Sequence, residues 1–582
     1  MIIISLFILA SHYCLHDTLH NRRILEREIS SNKISTQWSN IRITFNFDYL
    51  LGKKEDSRMC KFVDQIINWS YENHTCEYFD VLDIYYKESL IKTLESAKHY
   101  IEQIFKVRQI NYNFPLIGYE SVFDDPPEPY SNNTDLHITV VSRPFGYSTA
   151  AMAAILQRNN LDHRPIQGAL IVNPRIIPFY PQNESSPDNF FFKSLLHEIF
   201  HILGFSASNY KYFHPFDDFN PYSNIFCNLS NKGKNFTFLV TPHAHKYAKK
   251  HFKTEYFIGD DNKKCLSGIE LEDGGESGTA MSHLEMRMYL TELMAPFMSH
   301  LDGEFNVFSD ASMAVLLDTG NYKIDFRKVK PMLWGNIDLH KNEVFNASDF
   351  AIGSPQLVFP DLYLSSSEND NIGFDYTFLS GYSSKDESEL DIEYKEKYMS
   401  GKNFYNPKNF KNIGSNDVID FSNIKIPVFI CRKGLALING ISSCVSYEIL
   451  NETIIRFYLD DYILDCNESM SNTNHKIGSF NVVCPIFDRF IRSIALHNSF
   501  FSSDPLEGDD FEYSDPYFAK NGQKIDFDSK EKLIILGIVL STIFVCFIVF
   551  IISCIIIYQI KMHNKRVSRI NQDQTDNIFV DL

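Results

Sequence analysis

Apolar positions along the chain recur at different spacings, and each spacing predicts a different element. Residues 40–50 (NIRITFNFDYL) alternate and are rich in β-branched and aromatic types, which predicts a strand and the start of a folded domain. Residues 89–107 carry Leu90, Leu94, Ala97, Ile101 and the Ile104/Phe105 pair along one side, the repeat of an amphipathic helix. Short apolar runs at 135–141 and 168–172 predict buried strands, and 150–157 a helix. Residues 195–207, LLHEIFHILGFSA, read as an apolar helix interrupted by three polar positions and closed by Gly204. The mixture gives an α+β fold class.

Periodicity then fades. Residues 206–277 are irregular and contain Cys227 and Cys265, so they read as an insertion stapled by one disulfide. A helix at 312–318 and a Gly-Asn turn at 320–321 close a first unit over 39–325. Residues 326–530 hold strand-like runs such as KIPVFI and TIIRFYLDDYIL, which predict a separate β-rich, disulfide-stapled domain.

The two ends differ from everything between them. Residues 1–11 read as a short signal peptide. Residues 533–558 are 26 positions without a charge, enough to span a bilayer as one helix. Lys561, Lys565, Arg566 and Arg569 follow, which puts the tail 559–582 in the cytoplasm and the bulk of the chain on the extracellular or luminal side of a plasma, secretory or endocytic membrane. Eight of the eleven cysteines fall in four sequence-local couples, 60–76, 227–265, 431–444 and 466–484, the simplest disulfide pairing for such a compartment. Nine glycosylation sequons lie on the same side. A net charge of −18 argues against nucleic acid as a partner.

The candidate chemistry lies in the polar positions of the 195–207 helix. His197 and His201, four apart, project from one face and can reach a single metal ion, with Glu198 beside the open position. This HExxH arrangement is that of zinc peptidases. A catalytic zinc takes three protein ligands. In many such sites the third follows six residues after the second histidine, but Ala207 stands there. His214, His243, His245, His251, His283 and His300 are the alternatives. His283 is preferred: it precedes a Met-Ala-Pro turn at Met294 by eleven residues and ends the small-residue stretch GTAMSH.

HEIFHILGF at 197–205, GGESGTAMSH at 274–283 and ELMAP at 292–296 together resemble the leishmanolysin family of metzincins, which includes invadolysin-type proteins. Gln157–Arg158 and RPIQGALIVNP at 164–174 extend the resemblance, which covers residues 12–325. Leu284 departs from it, since the family commonly has Trp after the third histidine. The resemblance implies a metzincin-type catalytic domain, with a twisted mixed sheet and active-site helix above a mainly helical lower subdomain. It implies one zinc ion held by His197, His201 and His283, Glu198 as general base, Gly204 and Met294 as structural support, and protein or peptide substrates paired with strand 168–172. It also implies a zymogen: Cys14, in HYCLHD, would occupy the zinc until a propeptide over 12–38 is removed. A catalytically silent adhesion or receptor ectodomain is the rival reading, and a zinc hydrolase of non-peptide substrates a third. Oligomeric state is not legible.

Overall fold

The computed structural model describes residues 34–514 except 70–71, 120–121, 124, 146–148, 184–188, 276–277, 341–344, 366–370, 382–383, 408–411, 451 and 508–512. The signal peptide, most of the expected propeptide with Cys14, the expected membrane span and the tail lie outside the described residues. Among the described residues, no helix is long and apolar enough to cross a membrane.

Two strands open the fold where one was expected. β1 (Ile34–Asn40) begins inside the segment expected to be propeptide, and β2 (Ile43–Asn46) follows after a break at Ile41–Arg42. The break has a physical cause: Arg42 grips the buried Asp135 carboxylate through Nε and Nη2 at 2.9 and 3.1 Å, and the chain changes pairing partner there. α1 (Ile84–Ile104) starts at Asp83, whose carboxylate accepts the Tyr85 and Tyr86 N–H groups at 2.8 and 3.0 Å. It ends earlier than its apolar repeat predicted, because β3 (Phe105–Ile110) pairs with β1 instead of continuing the helix.

β4 (Leu136–Ser142), β5 (Ala151–Arg158) and β6 (Pro165–Val172) complete the main sheet, in the order β2-β4-β6-β5, parallel except for β5. The helix expected over 150–157 is therefore a strand. Ala151 to Gln157 are all buried, so the strand lacks the alternation that would have revealed it.

α2 (Phe190–Leu203) lies across β5 and β6. A Cβ at Gly168 would stand 2.5 Å from Ile202 Cγ2, so glycine is what lets helix and sheet approach this closely. Ile138, Val140, Ala153, Leu170 and Val172 meet α1 and α2 on one face of the sheet. Val141, Met152, Ala154, Ala169 and Ile171 meet Tyr49, Trp69 and Phe123 on the other.

The expected insertion is folded rather than irregular. β7 (Phe226–Asn231), β8 (Lys234–Leu239) and β9 (Ile269–Glu270) form an antiparallel sheet, and α3 (Pro242–Phe252) packs beside α4 (Asp310–Asp318). Its strands are short and mix polar with aromatic residues, which hid them from a periodicity reading. All four expected disulfides are present. The core continues across residue 325, where Trp334, Phe350, Tyr363 and Phe374 join the cluster that contains α2. Residues 435–466 form a four-stranded antiparallel sheet with its own core against the helix Phe487–Asn498.

Candidate metal centre

α2 is fixed at both ends. The Asn189 side-chain oxygen accepts the Phe191 and Phe192 N–H groups at 3.0 and 3.2 Å. Gly204 ends the helix with φ of +125°, a conformation that a Cβ disfavours. Between these ends every residue from Phe191 to Leu203 is buried, His197, Glu198 and His201 included. The polar trio is thus embedded in apolar surroundings.

The structure brings His283 to the two helical histidines. His197 Nε2 lies 3.1 Å from His201 Nε2 and 3.3 Å from His283 Nε2. The opposite nitrogen of each ring is tied to a backbone carbonyl: His197 Nδ1 to Leu293 at 2.7 Å, His201 Nδ1 to Phe205 at 2.6 Å and His283 Nδ1 to Thr279 at 2.8 Å. A carbonyl only accepts, so each Nδ1 carries the proton and each Nε2 presents a lone pair. Three lone pairs facing one another repel unless a cation stands among them. This donor set fits a metal ion, and the carbonyl partners are the outer contacts that orient metal-binding imidazoles. Burial pushes the His197 ring down to about 4, and burial together with the nearby His197 pushes His283 down to about 3. Both are therefore neutral at physiological pH, the form that binds metal.

Three further contacts hold the triad together. Ala207, at the spacing where a third ligand would otherwise stand, donates its N–H to Ser282 Oγ at 3.0 Å and so binds the loop that carries His283. The Leu284 N–H donates to the Met294 carbonyl at 3.0 Å. Glu292, fully buried, accepts from the Met294 N–H at 2.6 Å, the Ser309 N–H at 3.0 Å and the Ser312 hydroxyl at 2.7 Å. It thereby fixes the turn that contains Met294.

Sequence reasoning missed these contributors. Glu292 stood in ELMAP, but nothing local marked it as buried. The carbonyls of Leu293, Phe205 and Thr279 have no sequence signature at all.

The other candidate histidines are engaged elsewhere. His214 bonds the carbonyls of Pro215 and Asp162, His243 pairs with Asp318 at 2.8 Å, and His245 bonds the Ser267 carbonyl. His251 is buried beside Tyr247, and His300 is not in the cluster. The expectation that strand 168–172 pairs with substrate is overturned. That stretch belongs to β6, whose two edges are already bonded to β4 and β5; β5 is the edge strand on that side.

The family model for leishmanolysin matches residues 11–341. A leishmanolysin-like peptidase of Drosophila melanogaster is 30% identical over 223 residues, covering 33% of this chain and 30% of that protein. Leishmanolysin of Leishmania tropica is 27% identical over 316 residues, covering 52% and 42%. That of Leishmania major is 29% identical over 273 residues, covering 45% and 40%. The chain thus spans less than half the length of these relatives.

Proposed function

The chain belongs to the leishmanolysin family of zinc-dependent metallopeptidases, and on that premise we propose that it is a zinc endopeptidase with Glu198 as general base. One observation carries the reading: three buried imidazoles converge through Nε2 while each Nδ1 is tied to a carbonyl. His197, His201 and His283 would hold the ion. When bound, zinc supplies a Lewis acid for the scissile carbonyl and for an attacking water. Glu198 follows His197 on α2 and is buried with the three histidines. There it takes a proton from the water and delivers it to the leaving amine. The apolar side chains around it limit competing solvent, which strengthens that proton's interaction with the carboxylate.

The same reading places the catalytic part outside the cytoplasm, on a single-pass anchor over 533–558, and makes the chain a zymogen silenced by Cys14. Four disulfides support that compartment. So does the exposure of seven sequon asparagines, Asn68, Asn73, Asn132, Asn183, Asn228, Asn235 and Asn346.

The test is cleavage of casein and a broad peptide library by protein freed of the residues before Ile34. Glu198→Ala is expected to keep zinc and fold while losing about 10²- to 10⁴-fold in rate. Wild-type protein that holds zinc and cleaves nothing would instead support the silent ectodomain.

A further inference from the structure

His283 sits on a loop with local and distant tethers. Locally, its Nδ1 donates to Thr279 and its carbonyl accepts the Glu272 N–H at 3.0 Å. The distant tether comes from residues 417–420, which lie beyond the stretch that matches the family. On the arm before His283, the Gly275 N–H donates to Asp417 Oδ2 at 3.0 Å. Lys397, paired with that same carboxylate, also reaches the Asp273 carbonyl at 3.2 Å. On the arm after His283, Arg287 Nε donates to Asp420 Oδ2 at 2.8 Å across 133 residues of sequence. Lys234, from β8, donates to Asp420 Oδ1 at 2.7 Å. Arg287 closes the circuit on Glu270 of β9, whose carbonyl accepts the Glu285 N–H at 3.1 Å.

Lys234, Glu270, Arg287 and Asp420 are at most 3% exposed, so each charge depends on its partners. Taking one partner from such a set leaves a buried charge uncompensated. The loop itself is held in a demanding shape. Asp420 and Phe421 have φ of +51° and +48°, and Phe421 is seated against Tyr398 and Tyr405. Backbone of this kind persists only where its surroundings over-determine it. Here its two carboxylates reach the two arms of the loop that carries the third histidine.

We propose that residues 417–420 position His283, which makes the region beyond residue 341 part of the metal site rather than an appendage to it. The proposal rests on the reading that the triad holds zinc. Asp417 and Asp420 are positioning residues that act on His283 through Gly275 and Arg287.

The test uses the full chain with Asp420→Ala, Asp420→Asn and Asp417→Ala. Zinc affinity is measured by competition with a chromogenic chelator, and geometry by the visible bands of the cobalt-loaded protein. Both alanine variants are expected to bind zinc roughly ten- to a hundredfold more weakly, with altered cobalt bands. Asp420→Asn, which keeps an acceptor, should recover part of the loss. A folded alanine variant with wild-type zinc affinity and cobalt spectrum overturns the proposal and leaves the metal reading intact. If Asp420→Ala does not fold, Asp417→Ala decides, because it removes only the contact with Gly275 and Lys397. Wild-type protein that takes up no zinc overturns the metal reading, and this proposal with it.

Discussion

The Nδ1–H of His197 donates to the Leu293 carbonyl at 2.7 Å, joining the first histidine of α2 to the residue before Met294. The contact sets the orientation of one ring from the turn that Glu292 braces. The Leu284 N–H, next to His283, bonds the Met294 carbonyl in the same turn. First and third histidines therefore share one support, and a shift of the turn moves both.

The second histidine depends on Gly204. His201 Nδ1 donates to the Phe205 carbonyl, which is delivered by the turn at Gly204. A Cβ there would meet Asn209 Nδ2 at 2.7 Å on a backbone with φ of +125°. Gly204→Ala is expected to lower unfolding free energy by about 1–3 kcal/mol, read by urea denaturation, and to weaken zinc retention. An unchanged urea midpoint would show that the turn tolerates a side chain.

Asp310 gives a pH signature of its own. It is buried and accepts the Met332 N–H at 2.9 Å, and burial pushes its carboxyl from 3.8 up to about 7. The folded state thus prefers the protonated acid. The stability it contributes is complete below pH 3.8 and is lost as pH rises through about 7. Asp310→Asn copies the neutral form. Between pH 5 and 8 the wild-type urea midpoint should fall relative to the variant's. A constant gap between the two would mean that Asp310 is not protonated in the fold.

The zymogen reading makes a prediction about Cys14. A thiolate is a strong zinc ligand and would displace substrate and water from the site. Full-length Cys14→Ser is expected to cleave peptides without processing, and the wild-type chain to be latent until processed. A variant as latent as the wild type would assign inhibition to steric cover instead.

What could be read from sequence follows how locally each feature is encoded. His197, Glu198 and His201 stand out because they interrupt an otherwise apolar helix at helical spacing. His283 could be chosen because Ala207 cannot ligate and small residues precede the third histidine. The disulfides join nearest neighbours in sequence. β5 was misread because a strand buried throughout loses its alternation, and with it the identity of the sheet edge. The Asp420–Arg287 contact was invisible because a pair 133 residues apart leaves no local pattern. The carbonyls that aim the histidines were invisible because every residue has one.

If His283 completes the triad, the zinc content of the chain depends on it. Zinc per chain is measured by atomic spectroscopy after dialysis against a weak chelator, for wild type and for His283→Ala with retained circular dichroism. The expected result is one zinc per wild-type chain and loss of most of it in the variant. Equal zinc in both would contradict the assignment of His283, and no zinc in either would contradict the metal site itself.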